Sequence, residues 1–227
     1  MIPLRDENPS STVPFVTHAL IAANVAVFVY ELLLGPLLRP FFAEWALVPA
    51  RLTLTLKYHP GEAGGAVFTI LSSMFLHGGW SHLLGNMWYL WIFGDNVEDT
   101  FGHLRFLLFY LACGVMAALL HTWTNPASEL PTVGASGAIA GVLGAYGVAF
   151  PRARVITLIP FFPFFQVAAI PAMLVLGLWF VLQFLSGLGS LGAMRGGGIA
   201  FWAHIGGFLF GVLAMRVVAP WRRARQA

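Results

Sequence analysis

Four polar side chains stand inside otherwise apolar stretches: His82, Asn86, Ser136 and His204. Ser136 lies in Val133-Gly134-Ala135-Ser136-Gly137-Ala138, at the head of a helical stretch. A hydroxyl there has unpaired backbone N–H groups and the positive end of the helix dipole beside it, which suit an oxyanion. The same serine also fits a plain N-cap. His204 lies in Trp202-Ala203-His204-Ile205-Gly206-Gly207. Gly207 and Gly211 form a small-xxx-small face, and Gly137 and Gly141 form another. Such faces bring helices close, and close approach would put the imidazole within reach of the hydroxyl. A packing histidine bonded to a carbonyl is the other reading. His82 and Asn86 are four residues apart, so they share one helix face. Both can donate hydrogen bonds, either to a reacting group or as interhelical polar glue.

Other chemistries lack their residues. His77 and His82 have no further carboxylate or cysteine nearby to complete a metal site. There is no HExxH and no pair of aspartates inside apolar spans. Asp95, Glu98 and Asp99 fall about 20 Å along the helix from His82. They read as an interfacial cap or an ion pair with Arg105. No metal and no cofactor is expected.

These residues must be positioned by elements of an unusual composition. Of 227 residues, 59% are apolar and only 9% charged, against about 25% charged in a soluble domain. The mean hydropathy is +0.80. A water-facing surface cannot be covered with so little charge, and disorder needs the opposite composition. The chain reads as an all-α polytopic membrane protein. One cysteine, Cys113, excludes an internal disulfide framework. The net charge of +3 is scattered and makes no basic face for nucleic acid.

A spanning helix needs about 20 apolar residues. Six candidates are Phe15–Leu38, Trp80–Val97, Phe101–Trp123, Ser136–Phe150, Phe165–Leu188 and Phe201–Ala219. The first is long and follows the polar Arg5-Asp6-Glu7-Asn8, so it reads as a retained anchor rather than a cleaved signal. The domain is therefore expected over residues 15–220, with a cytoplasmic segment 1–14 before it and a basic cytoplasmic tail 221–227 after it. Arg39–Gly79, with Pro40, Pro49 and Pro60, reads as a long membrane-associated first loop. The glycine-rich Gly187–Gly198 reads as a loose joint before the last span.

Orientation follows from the basic residues. The side holding both termini collects eight arginines and the other side four basic residues, so both termini are expected in the cytoplasm. The second, fourth and sixth spans then run inward, and all four polar residues lie toward the outer leaflet. Ser136 is 15 residues before Pro151 and His204 is 16 before Pro220. These are about 22 and 24 Å of helix. If both prolines mark the inner interface of a ~30 Å core, both residues sit roughly 6–8 Å below the outer surface. A serine and a histidine at one depth can be neighbours.

Together these residues resemble the rhomboid family of intramembrane serine proteases. The resemblance is carried by Gly134-Ala135-Ser136-Gly137, Ala203-His204-Ile205-Gly206-Gly207 with Gly211, His82-Leu83-Leu84-Gly85-Asn86, and Val97-Glu98 followed by Gly102. It covers roughly residues 15–220 in order. It implies a Ser–His dyad that hydrolyses peptide bonds in or near transmembrane segments of membrane-protein substrates, through an acyl-enzyme. Ser136 would be the nucleophile and His204 the general base. The Ser136 N–H, His82 and Asn86 would form the oxyanion hole. The fifth span would gate lateral access from the bilayer. Members often stack an aromatic, four residues after the serine, on the histidine. That position here is Ala140, so the imidazole must be positioned otherwise. A catalytically silent scaffold for membrane clients and a small-solute channel are the alternatives, and Ser136→Ala separates them. A bacterial inner membrane is the expected location, from the absence of organelle targeting and of extra domains.

Overall fold

The computed structural model describes residues 1–161, 163–190 and 201–226. The chain opens on a strand, β1 (Ile2–Asp6), and then α1 (Phe15–Leu33). Three short helices follow, α2 (Leu38–Trp45), α3 (Pro49–Tyr58) and α4 (Ala63–Ser72). Two long helices come next, α5 (Trp80–Phe101) and α6 (His103–Thr124), then the shorter α7 (Ser136–Ala149). A hairpin of β2 (Arg154–Phe161) and β3 (Phe164–Pro171) leads into α8 (Ala172–Ser190). The last helix is α9 (Phe201–Gln226).

The expected all-α architecture is incomplete. β1, β2 and β3 form an antiparallel three-stranded sheet in that order. Val155 pairs with Ile170, and Ile2 with Leu158. Val155 and Thr157 are buried two residues apart, the period of a strand. The expected fifth span, Phe165–Leu188, therefore starts too early. Its first residues belong to β3, and the helix begins at Ala172. Hydropathy alone does not distinguish an apolar strand from an apolar helix.

The expected loop Arg39–Gly79 is mostly helical, because Pro49 and Pro60 start helical turns instead of breaking them. The first helix ends before Leu38, at a 3-10 turn through Gly35. Pro220 does not end α9, which runs on to Gln226, so it was a poor depth marker. Part of the Gly187–Gly198 stretch lies outside the described residues.

Among the described residues, three helices are long and apolar enough to cross a membrane: Phe15–Leu33, His103–Thr124 and Phe201–Val218. α7 and Ala172–Leu182 are shorter apolar helices. α7 is buried continuously from Gly137 to Tyr146, as expected of a helix that is apolar all round and sits inside a bundle. It is the axis against which α5, α6 and α9 pack.

The acidic residues at the end of α5 are structural. Glu98 accepts from the Val16 and Thr17 backbone N–H groups at 2.9 and 2.7 Å, closing the start of α1. The side chain that meets it from the start of α6 is His103, at 2.5 Å, rather than Arg105. Asp99 accepts from Ser11 and Thr12.

Candidate active site

Ser136 is the first residue of α7, so its backbone N–H has no partner within the helix. The turn before it needs Gly134, whose φ of +123° is a conformation that favours glycine. Space demands glycine there too. A Cβ on Gly134 would lie 2.6 Å from His82 Nε2 and 3.6 Å from Asn86 Nδ2. The turn is tied down on both sides. Gly134 N–H donates to the Ser73 carbonyl at 2.8 Å, and Leu47 and Thr132 exchange backbone hydrogen bonds. The helices of the long first segment thus hold the chain that presents the serine.

α9 brings the histidine. A Cβ on Gly211 would lie 1.9 Å from the Gly141 carbonyl oxygen, and Gly207 meets Gly137 just as closely. Backbones at this distance leave room for no side chain. Helix α6 closes on the same seam, since a Cβ on Gly141 would lie 2.3 Å from Cys113 Sγ of α6 and 3.1 Å from the Gly207 carbonyl oxygen of α9. With α7 clamped in this way, His204 Nε2 lies 2.7 Å from Ser136 Oγ, across 68 residues of chain. His204 is buried, and Ser136 is half-buried.

His82 and Asn86 face the same point. Gly78 N–H donates to His82 Nδ1 at 3.4 Å. A neutral imidazole that accepts at Nδ1 carries its proton on Nε2. The Nε2–H is the atom turned toward Gly134. Asn86 Nδ2 donates one hydrogen to His77 Nε2 at 3.0 Å. His77 Nδ1–H in turn donates to the Phe75 carbonyl at 3.3 Å. Its backbone N–H donates to Glu31 Oε1 of α1 at 3.1 Å. Burial, and then the neighbouring His82, push the His77 imidazole down to about 4, so it is a neutral acceptor near pH 7.

Ser136, His204, His82 and Asn86 line one cavity of about 610 Å³, together with Tyr89 and Leu143. Trp179 of α8 completes the wall. Its ring lies 5.8 Å from that of His204, at 40°. The structure thus brings together all four polar residues singled out from the sequence. His77, Glu31 and Trp179 were missed in these positions. His77 carried a signal, since it lies three residues before the helix bearing His82, but nothing in its spacing points to Asn86 as its partner. Among the described residues, no three His, Cys, Asp or Glu side chains converge as a metal site requires.

Comparison with known proteins agrees on one lineage. The family model described as Rhomboid domain matches residues 64–221. Rhomboid protein 1, mitochondrial, of Saccharomyces cerevisiae is 29% identical over 201 residues, covering 86% of this chain and 51% of that protein. Rhomboid-like protease 5 of Toxoplasma gondii is 36% identical over 172 residues, covering 70% of this chain and 17% of that one. Rhomboid protease GluP of Bacillus subtilis is 42% identical over 83 residues, covering 37% of this chain and 16% of its own length. The chain spans about half the length, or less, of these relatives. Since the family match takes in more than half of the chain, and both the α7 serine and the α9 histidine with it, the chain belongs to the rhomboid family.

Proposed function

We propose that this multi-pass membrane protein is an intramembrane serine endopeptidase that cleaves peptide bonds in or near the transmembrane segments of other proteins. The observation that carries the reading is the 2.7 Å contact between Ser136 Oγ and His204 Nε2 at the cavity. In this reading Ser136 Oγ attacks the scissile carbonyl carbon while His204 Nε2 takes its proton. The carbonyl oxygen becomes an oxyanion. The Ser136 N–H, the His82 Nε2–H and the second Asn86 N–H stabilise it, each worth most in a site that excludes bulk water. Collapse breaks the C–N bond, and the imidazolium gives its proton to the leaving amine. An acyl-serine remains, which a water deprotonated by His204 hydrolyses. No step needs a metal or cofactor.

The reading extends to topology. Residues 15–220 act as one domain of six spans, with both termini in the cytoplasm and the dyad toward the outer leaflet of a cell membrane. Polypeptide substrates approach through the bilayer. The purified chain should be labelled by a fluorophosphonate at Ser136 and should cleave a membrane-protein substrate. Failure of both would leave the scaffold reading, in which clients bind without being cut.

A further inference from the structure

We propose that Trp179 is the positioning residue for the His204 imidazole. This rests on the Ser136–His204 reading and deepens it.

The hydrogen bond to Ser136 Oγ fixes the place of one ring nitrogen, and a ring packed on the imidazole face restrains its plane. On α7, the residue one turn below Ser136 on the same face is Ala140, which offers a methyl and no ring. α8 supplies the missing face. The Trp179 ring lies 5.8 Å from His204, tilted by 40°, within the range of an offset aromatic pair. It is itself held. The same indole lies 6.3 Å from Phe208 at 33°, and Phe208 is four residues after His204 on the same face of α9. Phe180, the next residue of α8, packs on Phe208 at 4.5 Å. Trp179 therefore packs against two aromatic rings one turn apart on α9, His204 and Phe208. It also lines the cavity with Ser136. The imidazole is thus braced by a helix other than the two that carry the dyad, and its plane depends on how α8 is seated.

The test compares Trp179→Phe, which keeps a flat ring, with Trp179→Leu, which keeps apolar bulk and loses the face. Three quantities are read on the full chain in detergent: kcat, KM for a membrane-protein substrate, and the rate of fluorophosphonate labelling. The small probe reports the dyad without requiring a polypeptide to enter. Trp179→Phe should hold kcat within about threefold, as one aromatic pair replaces another. Trp179→Leu should lower kcat by roughly 10–100-fold, the cost of misplacing a reacting group. KM should move little, and labelling should slow by the same factor as kcat. Equal behaviour of Leu and Phe overturns the proposal. So does a Leu variant whose KM rises while kcat and labelling hold, because Trp179 would then be a substrate wall only. If the unaltered chain neither labels nor cleaves, the failure lies with the Ser136–His204 reading instead.

Discussion

A methyl group on Gly207 would lie 1.9 Å from the carbonyl oxygen of Gly137. Gly137 follows Ser136, and Gly207 is three residues after His204, so this contact sets the distance between the Ser136 and His204 side chains. Neither atom is the end of a flexible side chain, and the helices must part to accept any substituent. Gly207→Ala should destabilise the fold by about 1–3 kcal/mol through overpacking. It should also stretch the 2.7 Å contact and suppress labelling of Ser136. Thermal unfolding in detergent, with fluorophosphonate labelling beside it, checks both effects. A variant that melts and labels like the parent would remove the close approach as the cause of the pairing.

Much of this was legible in residues. Small-xxx-small spacing beside a serine and beside a histidine announces two helices that meet near those residues, and the expected Ser136–Phe150 matches α7 within a residue. The hairpin of β2 and β3 was not legible. Arg154-Val-Ile-Thr-Leu-Ile is rich in β-branched residues, but Phe164–Pro171 is apolar enough to be absorbed into the following span. The prolines of the first long segment misled for a related reason. Proline disrupts a helix in its interior and suits its first turn, and sequence alone does not say which position it holds. Trp179 could not be found at all from spacing. Its place over His204 depends on how α8 leans on α9, across a connection whose length says nothing about distance.

Ser136→Ala should abolish cleavage and labelling while the chain still folds. The lost group is one hydroxyl, and its removal should change stability by less than ~1.5 kcal/mol. Turnover by purified protein in detergent measures it, with unfolding as the control. Residual turnover near the level of the unaltered chain would mean another nucleophile.

Asn86→Ala should lower kcat by about 10²–10³, the size of one lost oxyanion donor, with a smaller change in KM. The bond to His77 Nε2 holds the Asn86 amide at 3.0 Å, so His77→Ala should lower kcat too, by a smaller factor. The two losses should not add, because His77 acts through Asn86. Kinetics of both single variants and the double variant decide it. A double variant that falls by the product of the two factors would give His77 an independent role.

Asp6 makes stability on the sheet side depend on pH. Its carboxylate accepts from the Tyr146 hydroxyl at 2.6 Å and from Asn96 Nδ2 at 3.2 Å. Burial is the main influence on it and, with nearby Asp95, raises its pKa from 3.8 to about 6, even though the Tyr146 bond pulls the other way. The folded value is the higher one, so the folded state holds the proton more tightly. The stability this group adds is full below about 3.8 and is lost as pH rises through about 6. Asp6→Asn keeps an acceptor for Tyr146 and removes the titration. The unfolding midpoints of Asp6→Asn and the unaltered chain should therefore lie closest together below pH 4. Asp6→Asn should gain steadily between pH 4 and 7, then hold its lead. Because β1 pairs directly with β2, the same trend should appear as faster proteolysis of the N-terminal strand in the unaltered chain at higher pH. Parallel midpoint curves across that range would show that the Asp6 carboxylate is charged throughout and that burial does not govern it.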